Sequence, residues 1–174
     1  MQGVDLLTRH CSVFGSLVTA FPKMSNFQFG AHALQASQVF FQTRLSFAFV
    51  NRKPVVPGHV LVSPRRVAPR FCDLTAEEVS DLFLTSQRVA RVVEKEYNGT
   101  SLTVSVQDGP DAGQSVPHVH VHILPRKAGD FKRNDDIYTE LEGHDKTPST
   151  DVFRSIDDMA AESTRLEGLF IGDR

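Results

Sequence analysis

The sequence predicts an α+β fold: a mainly antiparallel sheet of about five strands, one long central helix and a C-terminal helix. Two observations carry this. Stretches with β-type patterning cluster before and after a single long stretch of helical periodicity, without the strand–helix–strand alternation of a parallel sheet. The 174 residues, 40% hydrophobic and 23% charged, show no internal repeat or domain boundary, so one chain can build one substantial core.

Residues 1–23 stand apart as an N-terminal extension, disordered or cleaved, ahead of a folded domain over 24–174. Arg9, His10 and Lys23 are basic, Asp5 is the only acid, and Phe14, Leu17, Val18 and Phe21 fall at helical spacing. That loosely suits a mitochondrial presequence, but arginine is scarce, and an upstream start adding a tail explains it more simply. Residues 27–36 read as a short strand and turn, with Phe27, Phe29 and Leu34 available for packing. Residues 39–50 read as a hairpin whose Phe40, Phe41, Leu45, Phe47, Phe49 and Val50 favour strands. Asn51-Arg52-Lys53-Pro54 supplies a turn and Pro57-Gly58 a second break, after which His59–Val62 forms another strand. A histidine at a strand start is, on its own, more often structural than catalytic.

Thr75-Ala76-Glu77-Glu78 has capping-box spacing and opens a helix to about Tyr97, with Val79, Leu82, Phe83, Val89, Ala90 and Val93 as its buried stripe. Asn98-Gly99 ends it. Residues 100–107 alternate, with Leu102, Val104 and Val106 on one face. A Gly/Pro-rich connection over 108–113 leads to the next strand, pairing the two antiparallel and bringing Gln107 and Gln114 near it. Gly113-Gln114-Ser115 offers N–H groups and a hydroxyl that suit a phosphate, or is a mere turn. Residues 128–154 are polar and aperiodic, and read as a long mobile loop exposing Tyr138. Ser155 to Phe170 is helical, with Ile156, Met159, Ala160, Leu166 and Phe170 on one face.

The strand over 116–127 is the unusual one. His118, His120 and His122 alternate with Val119, Val121 and Ile123, so three imidazoles share a face that lines a cleft or meets solvent. A strand with an ordinary polar face explains one such histidine easily and three poorly. A metal site fits awkwardly: the outer two rings start roughly 13 Å apart, and no acid or cysteine lies between 112 and 129 to complete a ligand set. Catalysis by a central nucleophile has a chemical logic. Neutral imidazole is not repelled by a phosphate as a carboxylate is, and its attack divides one hard hydrolysis into two easier displacements.

Charge and composition narrow the classes. A net charge of −2 gives no electrostatic case for nucleic-acid binding. Cys11 and Cys72 make no disulfide framework, which suits a reducing compartment. No apolar run approaches the roughly 18–20 residues that span a bilayer.

His118-Val-His-Val-His-Ile-Leu124 resembles the histidine-triad signature, three histidines alternating with apolar residues. The flanks Ser46–Val62, Ser101–His118 and Leu124–Phe131 resemble the dinucleoside triphosphate hydrolase branch of that family, and the resemblance runs from about Met24 to Phe170. It implies the histidine-triad fold as a symmetric homodimer, hydrolysing diadenosine triphosphate to AMP and ADP through an adenylylated His120. A backbone carbonyl would hold the other nitrogen of that ring. His122 and His59 would contact phosphate oxygens or orient the ring, and His118 would brace the site. Gln107, Gln114 and Ser115, where the branch often carries threonine, would bind phosphate oxygens. Asn51 would fix the ribose, and Phe29, Leu34, Phe49, Val50 and Leu61 would wall the adenine. Mg²⁺ or a similar divalent ion would accompany the polyphosphate. The branch has a tyrosine at Tyr138, an exposed position suited to phosphorylation. The cytoplasm is the expected compartment, with nucleus or mitochondrion as alternatives. Three rivals stay open: a regulatory protein signalling through its substrate-bound form, a nucleoside phosphoramidase, and a metal-binding protein.

Overall fold

A computed structural model describes residues 26–143 and 153–170; the extension over 1–23 and the stretch 144–152 lie outside the described residues. The chain forms β1 (Asn26–Phe29), β2 (His32–Gln35), β3 (Val39–Gln42), β4 (Ser46–Val50), β5 (Val60–Pro64), α1 (Ala76–Glu96), β6 (Ser101–Ser105), β7 (Val121–Arg126), α2 (Asp136–Gly143) and α3 (Ile156–Leu169). Five strands make one sheet in the order β3-β4-β5-β7-β6, every pair antiparallel, and β1-β2 is a separate hairpin. The α+β architecture read from the sequence is the one observed.

Strand alternation divides the core in two. Ala48, Val50, Val60, Val62, Val121 and Ile123 face α1 and α3, where Leu82, Val89, Val93, Met159, Leu166 and Phe170 meet them. The opposite face carries Phe47, Phe49 and Leu61, covered by Phe27 and Phe29 of the β1-β2 hairpin. The central strands are therefore buried on both faces, which explains why β4 and β5 read as nearly continuous apolar runs. Each fully buried Phe, Leu, Ile or Val contributes roughly 1.5–3 kcal/mol, so the two layers can afford a polar cluster between them.

Helix α1 starts where the capping box places it. Glu78 N–H donates to Thr75 Oγ1 at 3.2 Å, and Thr75 N–H donates back to Glu78 Oε2 at 2.9 Å. Arg66 also grips Glu78, and this guanidinium, with the Thr75 N–H, holds the carboxyl down at about 2. At the far end the left-handed residue is Asn98, at φ 54°, and not Gly99. Gly99 N–H reaches Glu94 O at 2.7 Å and Asn98 N–H reaches Lys95 O at 3.2 Å, which closes the helix by the Schellman pattern.

Four expectations change. Phe83 is exposed and touches Phe71 edge-on, because the apolar stripe of α1 is narrower than its 3–4-residue spacing suggested. Val104 is exposed on β6, which ends the sheet. Ile156 is exposed at the first turn of α3. Residues 128–154 are not one loop: α2 lies within them, its Ile137 and Leu141 buried against Val56 and Leu124. Four residues apart, these two share a helix face, and tertiary burial stabilises a helix too short to stand alone. Replacing Ile137 by Ala should lower unfolding stability by about 2–4 kcal/mol, read by denaturant titration; a change below about 0.5 kcal/mol would mean that α2 is not docked as described.

Candidate active site

Four histidines gather on the hairpin side of the sheet. Only His122 lies in a strand, opposite Leu61 of β5 and Ser105 of β6. His118 and His120 precede β7, so the expected strand over 116–127 begins at Val121. The rings are also not laid along an open cleft: relative exposure is 0% for His118, 2% for His120, 1% for His122 and 2% for His59. The cause is the departure from strand geometry together with the hairpin. Residues 118–120 bend inward at the entry to β7, and Phe29 packs over them, its ring centroid 5.7 Å from His118 and 5.0 Å from His120.

Backbone groups fix the proton position directly on three of these buried rings, His118, His120 and His59. A carbonyl can only accept and a backbone N–H can only donate. His118 Nδ1 accepts from Gly30 N–H at 3.1 Å, so its proton sits on Nε2, which donates to Arg66 O at 3.1 Å. Desolvation pushes this imidazole down to about 4, against the opposing pull of backbone carbonyls at Pro64 and Arg66. His118 is thus a neutral strut between the β1-β2 turn and the segment after β5. Gly30 has φ 58°, and a Cβ there would meet Val116 Cγ1 at 2.5 Å, so the turn that carries this N–H requires glycine.

His120 Nδ1 lies 2.7 Å from His118 O and must donate to it. The neutral ring then holds its lone pair on Nε2. His59 Nδ1 accepts from Val55 N–H at 3.2 Å, so the His59 proton is on Nε2, 3.0 Å from His122 Nδ1. His122 accepts there and keeps its own proton on Nε2. Its ring stands edge-on to His120 with centroids 4.8 Å apart. The four rings therefore divide into one strut, one lone-pair base or nucleophile, and a donor relay ending at His122 Nε2–H.

Phe29, which packs on His118 and His120, also lines a cavity of about 650 Å³ that none of the four rings itself lines. Phe29, Leu34, Phe49, Val50 and Leu61 line it together with Asn51 and Ser115. Asn51 Oδ1 accepts from Lys53 N–H at 2.9 Å, and Asn51 Nδ2 comes within 3.4 Å of His59 Nε2. Gln114 is placed differently: its Oε1 accepts from Gly109 N–H at 2.8 Å and its Nε2 donates to Pro69 O at 3.0 Å, tying down the loop ahead of the histidines. Gln107 lies against Gly113, where a Cβ would come within 2.6 Å of its Nε2. Tyr138 is 58% exposed on α2 and lines neither this cavity nor the smaller one near Tyr97.

Sequence reasoning missed part of the wall. Arg52, Phe153 and Arg154 also line the cavity, as do Gln38 and Met159. Arg52 sits over the Phe153 ring at 3.7 Å, and Arg154 N–H donates to Arg52 O at 2.9 Å. Arg154 also pairs with Glu162 of α3. The two contacts of Arg52 join residues about a hundred positions apart, and no local pattern announces them. Nor does any pattern mark Val55, whose backbone N–H sets the relay.

The chain matches the HIT domain family model over residues 33–129. It is 50% identical over 153 residues to the bifunctional bis(5'-adenosyl)-triphosphatase/adenylylsulfatase of Arabidopsis thaliana, covering 84% of this chain and 85% of that one. It is 50% identical over 147 residues to the bis(5'-adenosyl)-triphosphatase of Dictyostelium discoideum, covering 84% and 95%. Among solved structures, the Caenorhabditis elegans NitFhit protein superposes with a TM-score of 0.71 at 44% identity, over 86% of this chain but only 31% of that longer one. The Plasmodium falciparum diadenosine triphosphate hydrolase superposes with a TM-score of 0.70 at 29% identity, over 86% of each chain.

The neutral state of His118 has a consequence for pH. Its folded pKa is depressed, so its contribution to stability is full above the unfolded value of about 6.5 and is lost as pH falls through about 4. His118→Asn, which keeps an acceptor and a donor, should flatten the loss of stability between pH 6.5 and 4 in thermal melts; an unchanged slope would refute the assignment. The fold, the triad and these matches place the chain in the HIT domain family.

Proposed function

We propose that the chain hydrolyses dinucleoside polyphosphates, taking diadenosine triphosphate to AMP and ADP through a nucleotidyl-histidine intermediate. The observation that carries this reading is the 2.7 Å hydrogen bond from His120 Nδ1 to His118 O, which leaves the lone pair on Nε2; Phe29, packed on this ring, also lines the apolar-walled cavity. The names of the Arabidopsis and Dictyostelium relatives support the substrate class.

In the first displacement His120 Nε2 bonds the α-phosphorus, the bridging P–O bond breaks, and ADP departs with that electron pair. The ring becomes cationic, and His118 O stabilises the charge through Nδ1–H. His122, with its proton on Nε2, donates to phosphoryl or leaving-group oxygens. Water then attacks the phosphorus, the P–N bond breaks, AMP leaves and a proton is released. Asn51 holds the ribose, and Phe29, Leu34, Phe49, Val50 and Leu61 flank the base. Because His120 is nearly enclosed, this reading requires the packing over the ring to open when the polyphosphate binds. Ser115, already in the cavity wall, binds phosphate oxygens, joined by Gln107 and Gln114.

The donors around the rings are imidazoles and amides, a poor set for Mg²⁺, which prefers oxygen ligands and retained water. A divalent ion belongs to this reading as a companion of the substrate phosphates. Among the described residues no three His, Cys, Asp or Glu side chains are grouped to hold a metal. A homodimer is supported by exposed Phe83 and Leu84 on α1 and Val104 on the free edge of β6. The exposed free thiol of Cys72 suits the cytoplasm. No helix among the described residues is long and apolar enough to cross a membrane.

A panel of dinucleoside polyphosphates and nucleoside phosphoramidates, with product identification, tests the reading. The expected pattern is asymmetric cleavage of diadenosine triphosphate, lost by at least about a thousandfold in His120→Asn, with nucleotide affinity within a few-fold of the parent. Symmetric cleavage of diadenosine tetraphosphate to two ADP, turnover of the phosphoramidates alone, or turnover retained in His120→Asn would overturn it.

A further inference from the structure

Among the polar groups that line the cavity and take no part in the proposed reaction is the carboxamide of Gln38. It ends the single helical turn Ala36–Gln38 that joins the hairpin to β3. The orientation of this amide is determined. Gln35 N–H donates to Gln38 Oε1 at 2.9 Å, and a donor requires an acceptor, so the oxygen is fixed and Nε2 points elsewhere. Nε2 meets Met159 Sδ of α3 at 3.4 Å. A thioether is a weak acceptor, and the NH₂ group carries two hydrogens. Among the described residues no oxygen or nitrogen accepts from either of them. Gln38 and Met159 both line the cavity, together with Leu34, Val50 and Leu61.

We propose that Gln38 reads the nucleobase: its Nε2–H donates to an acceptor on the edge of the base held in this cavity, which makes it a specificity-determining residue. The inference rests on the cavity being a nucleoside pocket. The apolar walls give any base contact area and ring contacts, and they do not distinguish one base edge from another. A donor held in one orientation does. A base presenting a ring nitrogen or carbonyl oxygen gains a hydrogen bond. A base presenting an N–H sets two donors against each other, and a site that leaves a buried polar group unpaired discriminates strongly. Because Gln35 already fixes the amide, little rotamer freedom is lost on binding.

The test compares the parent chain with Gln38→Leu and Gln38→Glu. Affinities for AMP, GMP, CMP and ribose 5-phosphate are measured by calorimetry, with diadenosine triphosphate kinetics in parallel. Glu keeps the oxygen that Gln35 N–H needs and removes the donor, which separates the structural bond from base reading. Both variants should bind AMP roughly three- to tenfold more weakly. They should raise KM by a similar factor at constant kcat, narrow the spread among the three nucleotides, and leave ribose 5-phosphate binding unchanged. Equal AMP affinity in parent and variants would overturn the proposal. So would a loss in Gln38→Leu that Gln38→Glu restores, or an equal loss for ribose 5-phosphate, because those are the marks of a structural role. Parent protein that binds and cleaves no nucleotide would sink the nucleoside pocket itself, whereas normal parent turnover with unaltered variants would sink only the role of Gln38.

Discussion

The hydrogen bond between His120 Nδ1 and the carbonyl of His118 governs the chemistry of this site. It joins residues two apart, and it forms because the chain has left extended geometry before β7 begins at Val121. In an unbroken strand the His118 carbonyl would point along the sheet toward a neighbouring strand. Here it turns under the ring that follows it. One backbone oxygen therefore decides which nitrogen of His120 bears the proton, and the lone pair is fixed by elimination.

The same logic extends to the neighbouring rings. Gly30 N–H and Arg66 O fix His118, and Val55 N–H fixes His59 and, through it, His122. Leaving one buried imidazole nitrogen without a partner costs roughly 1–3 kcal/mol, comparable to the gain from burying one of the surrounding phenylalanines. The backbone partners of His118, His120 and His59 consequently offset much of the cost of burying the cluster. Backbone groups suit this task because they cannot titrate. They also tie the site to its scaffold: Gly30 belongs to the hairpin that walls the cavity, and Val55 lies in the connection between β4 and β5.

What could be read from the sequence was what neighbouring residues decide. Thr75 and Glu78 cap α1 reciprocally, the β-branched and aromatic runs became the central strands, and the spacing of His118, His120 and His122 marked the site. Features set by distant partners were not legible. Helix α2 depends on Ile137 and Leu141 finding Val56 and Leu124, and a short polar stretch with two apolar residues carries no such sign. The irregular path through His118 and His120 is imposed by the hairpin packed over it, so an alternating pattern was misread as continuous strand. Arg52, Phe153 and Gln38 take their meaning from contacts with α3 and the segment before it, and only the folded chain brings them to the same cavity. The apolar walls were anticipated by family resemblance; from local pattern alone, Phe49 and Leu61 are indistinguishable from plain core.

The most direct measurement of the central claim is chemical. Enzyme turning over α-labelled diadenosine triphosphate should be quenched in alkali, where a phosphorus–nitrogen bond survives, and digested for mass spectrometry. An AMP adduct on the peptide carrying His120, formed within one turnover and absent from His120→Asn, is the result this account predicts. Full turnover with no adduct at any quench time, or an adduct on His59 or His122 instead, would contradict it.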